Sequence, residues 1–306
     1  MSPTDTPPPP SDTPADTDPR ARAREQAEHA ERERTAAEHL ARLHGTHELQ
    51  AALMALMLPQ GSKRALIAWR IDNELAHNAQ ALLDDVLSLS PVARLPWFER
   101  LLARLAATPL AARKTLLEST RRLMSARNRI RPIDRLHWLA MRQRLGEPAQ
   151  FGARTGADGD ISQLQESAVM SIAAYTAFLA RMVPGAPVAA ELDAAATKTA
   201  AAQAGAAWYA AVMAPWQHRA DVPDCVAPSV DGLVLALQGL RALPWLQRPV
   251  VVRGWVGAAV QHSRHGRLDD TAADALRLSC SLLDSPLPPA LTEHYSEAAV
   301  PREPLA

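Results

Sequence analysis

The sequence is poor in cysteine and glycine, and each shortage excludes a class of protein. Cys225 and Cys280 are the two cysteines among 306 residues, too few for a disulfide framework and typical of a reducing compartment. Glycine occurs 13 times, and residues 250–252 form the one run of β-branched residues. Because 47% of the chain is apolar, with alanine and leucine dominant, the composition predicts an all-α protein with a sizeable core.

Long apolar runs and an excess of charge are also missing. No apolar run reaches the roughly 18 residues that cross a bilayer, and the opening residues lack the basic and apolar regions of a signal peptide. Basic and acidic residues number 33 each, so no global positive field attracts nucleic acid or an anionic membrane. These features predict a soluble cytoplasmic protein.

The composition changes along the chain in a way that predicts six segments. Seven prolines open the chain and predict disorder, because such a segment buries too little apolar surface to offset chain entropy. A charged helix follows, and since almost no apolar stripe precedes Leu40 and Leu43, we expect it to be solvated, with partner binding as the alternative. The predicted segments are a disordered arm (1–19), a charged leader helix (20–44), a helical lobe (45–147), a Gly-rich linker (148–162), a second helical lobe (163–291) and a flexible tail (292–306).

Two stretches 138 residues apart look like copies of one helix–turn–helix. Each follows a Leu-Pro-Trp triplet, at residues 95–97 and 243–245. An internal repeat constrains the architecture, so the pattern predicts two pseudo-repeated lobes. In the two copies Ser125 matches Ser263, Arg129 matches Arg267, and Ile130 matches Leu268.

Apolar residues at helical spacing predict which side chains form the core. Cys280 lies on such a face, so we expect a buried thiol rather than a nucleophile. We expect Leu123, Ile130 and Leu136 to pack against Trp97 in the first lobe. The other residues predicted to face the core are Leu66, Ile67, Ile71, Leu75, Trp138, Trp245, Trp255, Leu268 and Leu276.

Residues 49–58, 89–96 and 267–289 resemble the C-terminal helical region of bacterial HtpX-like zinc membrane metallopeptidases. The resemblance spans about residues 47–291, and the region is also similar to TerB-like helical domains. It implies two TerB-like helical lobes that work beside a membrane-embedded catalytic domain. A membrane metallopeptidase or another membrane protein is therefore the implied partner.

The turns depart from the TerB-like pattern, which usually carries Ala-Asp-Gly. Residues 126–128 read Ala-Arg-Asn and residues 264–266 read Arg-His-Gly, so Arg127 and His265 replace the acid. The metal binding that the resemblance implies needs several oxygen ligands, which neither turn provides. We therefore expect no metal here, and we expect both side chains to face water.

The catalytic chemistry of the family is missing from the sequence. A zinc peptidase needs His-Glu-x-x-His on a helix, and the nearest string, at residues 47–51, lacks the second histidine. The pairs His44/His47 and His262/His265 have ligand spacing but no clear third ligand. We therefore predict a protein that is not an enzyme, with no catalytic residues, cofactor or metal.

A local excess of arginine is the remaining functional signal. Residues 113–144 hold ten basic and two acidic residues, although arginine stems covering helix surface would give the same pattern. The sequence predicts a non-catalytic interaction or regulatory module with a protein partner. One alternative is the detached C-terminal part of a split zinc metallopeptidase. The other is a basic adaptor for anionic lipid headgroups or nucleic acid, of which nucleic acid is disfavoured because aromatic residues do not interleave with the arginines as a stacking platform. The candidate interaction surface is Arg121, Arg122, Arg127, Arg129, Arg131 and Arg135.

Overall fold

The computed structural model describes residues 19–59, 61–127, 129–146, 161, 164–185, 194–218 and 221–296. Within these residues the chain forms thirteen α-helices, two short 3-10 turns and no strand, which confirms the predicted all-α fold. Residues 1–18 of the predicted arm, nearly all of the predicted linker and the last ten residues lie outside the described part. The helices are α1 (Pro19–Arg42), α2 (Thr46–Leu56), α3 (Lys63–Asp72), α4 (Ala79–Ser88), α5 (Pro91–Ala106), α6 (Leu110–Ser125), α7 (Pro132–Leu145), α8 (Glu166–Leu179), α9 (Ala194–Met213), α10 (Val230–Arg241), α11 (Gln247–His262), α12 (Asp270–Leu282) and α13 (Pro289–His294).

The sequence fixes many helix starts through proline and polar caps. Helices α5, α7 and α13 each begin with proline, whose missing N–H costs nothing in the first turn. Helices α3, α10 and α12 begin after Ser62, Ser229 and Asp269, whose side chains accept a hydrogen bond from an amide three residues on.

We expected the leader helix α1 to be solvated, but only part of its length is. Its second half packs against α4 and buries Ala36, Ala37 and Leu40. Glu33 also ties the helix to the start of α5, because its Oε1 accepts hydrogen bonds from the amide (3.0 Å) and hydroxyl (2.5 Å) of Ser90. The two alanines give the helix a narrow apolar edge, which is too short to produce a clear hydrophobic stripe in the sequence.

The two predicted lobes share one core. Helix α12 packs against α7 and α5, and the buried residues form a single cluster that runs from α1 to the end of α13. Arg277 on α12 joins the same contact, with its Nε 2.8 Å from Glu99 Oε2 on α5. The predicted tail also belongs to this body, since residues 292–294 continue α13 and Tyr295 is buried.

Several predicted core residues are buried and others are not. Trp97, Trp255 and Cys280 are buried as predicted, together with Leu123, Leu136, Leu268 and Leu276. Trp138 is half-buried, and Ile130 is exposed. Trp245 is 73% exposed because its Leu-Pro-Trp triplet lies between α10 and α11, whereas the triplet of Trp97 lies inside α5. The two triplets are therefore not equivalent positions.

Helix α3 is rotated relative to its predicted orientation. The Trp69 indole is fully buried and donates a hydrogen bond from Nε1 to the Ala51 carbonyl at 3.0 Å. A large ring that is both buried and hydrogen-bonded fixes the rotation of the helix. Ile67 and Ile71 consequently face outward, and Leu75, which follows the helix, is exposed as well; all three differ from the prediction.

Candidate functional site

Arg127, predicted to face water, points into the protein and is removed from the candidate surface. Its side chain is 2% exposed, its Nη1 lies 2.6 Å from Asp134 Oδ1, and its Nη2 donates to the Met57 carbonyl. Burial opposes ionisation of Asp134, but hydrogen bonds from Arg131 and Arg127 outweigh it and hold the pKa of this carboxyl below its ordinary value. Arg127 is therefore a structural residue that joins the α6–α7 turn to the end of α2.

The other predicted arginines do not form one surface. Arg122 pairs with Asp72 at 2.6 Å and, with Arg121, lines a shallow depression beside α3. Arg131 pairs with Asp134 at 3.0 Å at the start of α7. The charges of Arg129 and Arg135 act on Arg181, which belongs to the second lobe.

Arg129, Arg135 and Arg181 form an arginine cluster contributed by three segments of the chain. Burial lowers the pKa of the Arg181 guanidinium, and the positive charges of Arg135 and Arg129 lower it further. Arg181 also lies over the Phe178 ring, 6.0 Å from its centroid. No hydrogen bond or ion pair joins the three guanidinium groups to another residue that the structure describes. The cluster is thus a concentration of positive charge without a partner in this part of the chain.

Sequence reasoning missed Arg181 because it stands alone at the end of the apolar helix α8, 46 residues beyond Arg135. A single arginine after an apolar helix gives no charge pattern. Its isolation among apolar residues was the available signal, since such an arginine has few local partners.

The two helix–turn–helix stretches have boundaries that match to within one residue, and their turns differ. Helices α6 and α11 end at Ser125 and His262, and the following helices have their N-caps at Arg131 and Asp269, which are 138 residues apart. The second turn is a 3-10 segment in which His265 has a φ of 59° and is exposed, as predicted. In the first turn Arg127 is buried, and residue 128 lies outside the described part.

A second site is a cleft of about 390 Å³ between α5, α7 and α12. Arg94 on α5 lines this cleft and is half-buried, and neither an ion pair nor a hydrogen bond engages its guanidinium within the described residues. Burial lowers the pKa of Arg94, and the nearby charge of Arg131 lowers it further, while Asp274 acts in the opposite direction. The cleft therefore contains two guanidinium groups at one side.

The cleft is also lined by a carboxyl group with an unusual pKa, that of Asp274 on α12. Burial raises the pKa of Asp274 to about 7, and the hydrogen bond from the Tyr295 hydroxyl, at 2.6 Å, only partly offsets this. Burial also lowers the pKa of His137 to about 4, so that its ring is neutral at physiological pH. That ring packs edge-on against Phe98 with centroids 4.7 Å apart. Asp274 can thus gain or lose a proton near neutral pH inside the cleft.

The described part of the chain shows no group of three or more His, Cys, Asp or Glu side chains arranged to hold a metal ion. None of the helices that the structure describes has the length and apolar character to cross a membrane.

The described part of the chain is thus all-α, with an arginine cluster that has no counter-ion among the described residues and a charged cleft. Comparisons with protein-family models, with curated proteins and with solved structures found no match to the chain.

Proposed function

We propose that this protein is a non-catalytic helical interaction module that binds an acidic protein segment through the arginine cluster. The observation that carries the proposal is that the charges of Arg129 and Arg135 act on Arg181 and that none of the three has a counter-ion among the described residues. Bringing three like charges together is unfavourable, and a bound carboxylate removes that cost. Arginine is suited to the task because its planar fork binds a carboxylate through two parallel hydrogen bonds.

A protein segment fits the cluster better than nucleic acid does. Single-stranded nucleic acid is held by exposed aromatic rings on which bases stack, and the ring that Arg181 lies over, that of Phe178, is fully buried. Carboxylate side chains need only the guanidinium groups. The resemblance noted from the sequence adds a class of partner to the proposal, namely an acidic cytosolic segment of a membrane protein such as a metallopeptidase.

The test is binding of a fluorescein-labelled oligoglutamate peptide, followed by fluorescence anisotropy at low and moderate salt. Changing the three cluster arginines to glutamine should weaken binding at least tenfold, because charge-assisted hydrogen bonds are lost. The matched control changes three exposed arginines elsewhere, Arg64, Arg121 and Arg253, to glutamine and should weaken binding less than threefold. Equal losses in both variants, or no binding by the parent protein, would contradict the proposal.

We also propose that the two helix–turn–helix units are copies of one ancestral unit, as the sequence suggested. The support is that the N-caps Arg131 and Asp269 are 138 residues apart, which is the separation of the two similar sequence stretches. In both copies the helices on either side of the turn also pack against each other. In this proposal the first copy acquired a buried ion pair at Arg127 and the second retained an exposed turn.

A further inference from the structure

We propose that the cleft between α5, α7 and α12 binds a small organic anion with an apolar body, whose charged group lies between Arg94 and Arg131. This site is separate from the arginine cluster and does not depend on it. The proposed ligand class is a monovalent or divalent anion, such as a phosphate monoester or a sulfonate, attached to a ring or a short apolar chain.

The anionic end follows from the state of the two guanidinium groups. Arg94 is half-buried in the cleft without a hydrogen bond to a described residue. Burial removes part of the hydration of a cation, and without a hydrogen bond this loss of solvation free energy is not offset. Arg131 donates hydrogen bonds from Nε and Nη2 to the Asp134 carboxylate. Because a guanidinium has five N–H donors, the remaining donors are available to a ligand. Two neighbouring arginines that repel each other are a ready receptor for an anion.

The apolar body follows from the rest of the lining. Leu56, Leu58 and Pro59 line the cleft and are half-buried, so each keeps apolar surface for a ligand, and the neutral His137 ring also lines it. A volume of about 390 Å³ lies in the range of roughly 300–1,000 Å³ that small-molecule sites occupy. Inorganic phosphate alone would leave most of this surface uncovered, so an anion with a ring should bind more tightly.

A cationic ligand fits the cleft less well, because the carboxyl groups already have partners. Asp274 accepts the hydrogen bond from Tyr295, and Asp270 Oδ1 lies 3.5 Å from His294 Nε2. Arg94 is the charged group of the lining that lacks such a bond among the described residues. Because the group that lacks a partner is the Arg94 cation, we expect the cleft to bind an anion.

Asp274 gives the proposed site a pH dependence of definite sign. Two charged groups on its own helix act on Asp274, Asp270 and Arg277, and two on α5 do so, Glu99 and Arg94. The Tyr295 hydroxyl, beyond α13, donates a hydrogen bond to it. When Asp274 loses its proton, its negative charge repels a bound anion and competes for Arg94. Anion affinity should therefore fall as the pH rises through the range in which Asp274 ionises.

The experiment is calorimetric titration of the full chain with inorganic phosphate, phenyl phosphate and benzenesulfonate. We expect saturable binding of one molecule per chain, with both aromatic anions tighter than inorganic phosphate. Arg94→Gln should raise the Kd for phenyl phosphate at least tenfold. Arg121→Gln, which removes the same charge from an exposed site, should change it less than twofold. Because Arg94 has no hydrogen bond to a described residue and is repelled by Arg131, the melting temperature of Arg94→Gln should not fall below that of the parent.

Two further measurements separate a specific site from general attraction to positive charge. Benzenesulfonate keeps its charge between pH 6 and 8, so any weakening over that range reports on the protein, and Asp274→Asn should abolish the weakening. The triple glutamine variant of the arginine cluster should bind the aromatic anions like the parent. Failure of every probe to saturate, equal losses in Arg94→Gln and Arg121→Gln, or a pH dependence that persists in Asp274→Asn would overturn the proposal.

Discussion

The buried pair of Arg127 and Asp134 gives the sharpest test of the structure, because the sequence and the structure predict opposite outcomes. A polar turn residue that faces water could be changed to alanine at little cost. In the structure Arg127→Ala leaves the Asp134 carboxylate 3% exposed with one cationic partner, Arg131, and leaves the Met57 carbonyl without its donor. Breaking one side of a buried ion pair costs about 3–5 kcal/mol.

The assay is thermal unfolding followed by circular dichroism, with urea unfolding as a second measure. At roughly 2 °C per kcal/mol for a chain longer than 250 residues, Arg127→Ala should lower the melting temperature by about 6–10 °C. The matched control is Arg121→Ala, an exposed arginine on the preceding helix, which should stay within about 0.5 kcal/mol of the parent. If the two variants melt together, the inward orientation of Arg127 is refuted.

Four further predictions follow from burial and backbone geometry. Leu40→Ala should cost about 2–5 kcal/mol in urea unfolding, because this side chain on the leader helix is fully buried, and parent-like unfolding would show that α1 does not dock. Leu276→Ala should cost a similar amount, since its side chain is fully buried on α12, and a loss below about 1 kcal/mol would contradict that position. His265→Gly should raise stability by up to about 1 kcal/mol, because a residue with φ 59° favours glycine, and destabilisation would argue against the left-handed turn. Because the pKa of Asp274 is raised, its contribution to stability is fully present below pH 3.8 and is lost as the pH rises to about 7. The stability of Asp274→Asn relative to the parent should therefore increase over that range. A difference in the free energy of unfolding that stays constant with pH would contradict the raised pKa.

The sequence predicted the helical class and the stronger core positions because these depend on composition and periodicity. The scarcity of glycine indicates helices, and leucines at helical spacing indicate which face is apolar. These local signals correctly predicted that Trp97, Trp255 and Leu276 are buried. Proline or a polar cap at the starts of α5, α7 and α12 is a local feature of the same kind. Such features are set within a few residues, so a sequence is enough to find them.

The errors arose where a distant partner decides the outcome. Arg127 is buried because Met57, 70 residues earlier, supplies a carbonyl acceptor. The leader helix docks because α4 offers a surface for Ala36, Ala37 and Leu40. The cleft could not be predicted for the same reason, since Arg94 and Asp274 meet only when α12 packs on α5. Periodicity reports which residues share a face, and it does not report what that face meets.

The packing of α12 on α5 also sets the order of events during synthesis. Glu99 and its partner Arg277 are separated by 178 residues, so on the order of ten seconds or more of translation passes between them at typical rates. During this interval the apolar faces of α5 and α7 have left the ribosome and have no α12 to cover them. The nascent first half therefore exposes an apolar surface of the kind that general chaperones bind, and native packing waits for about the last tenth of the described chain.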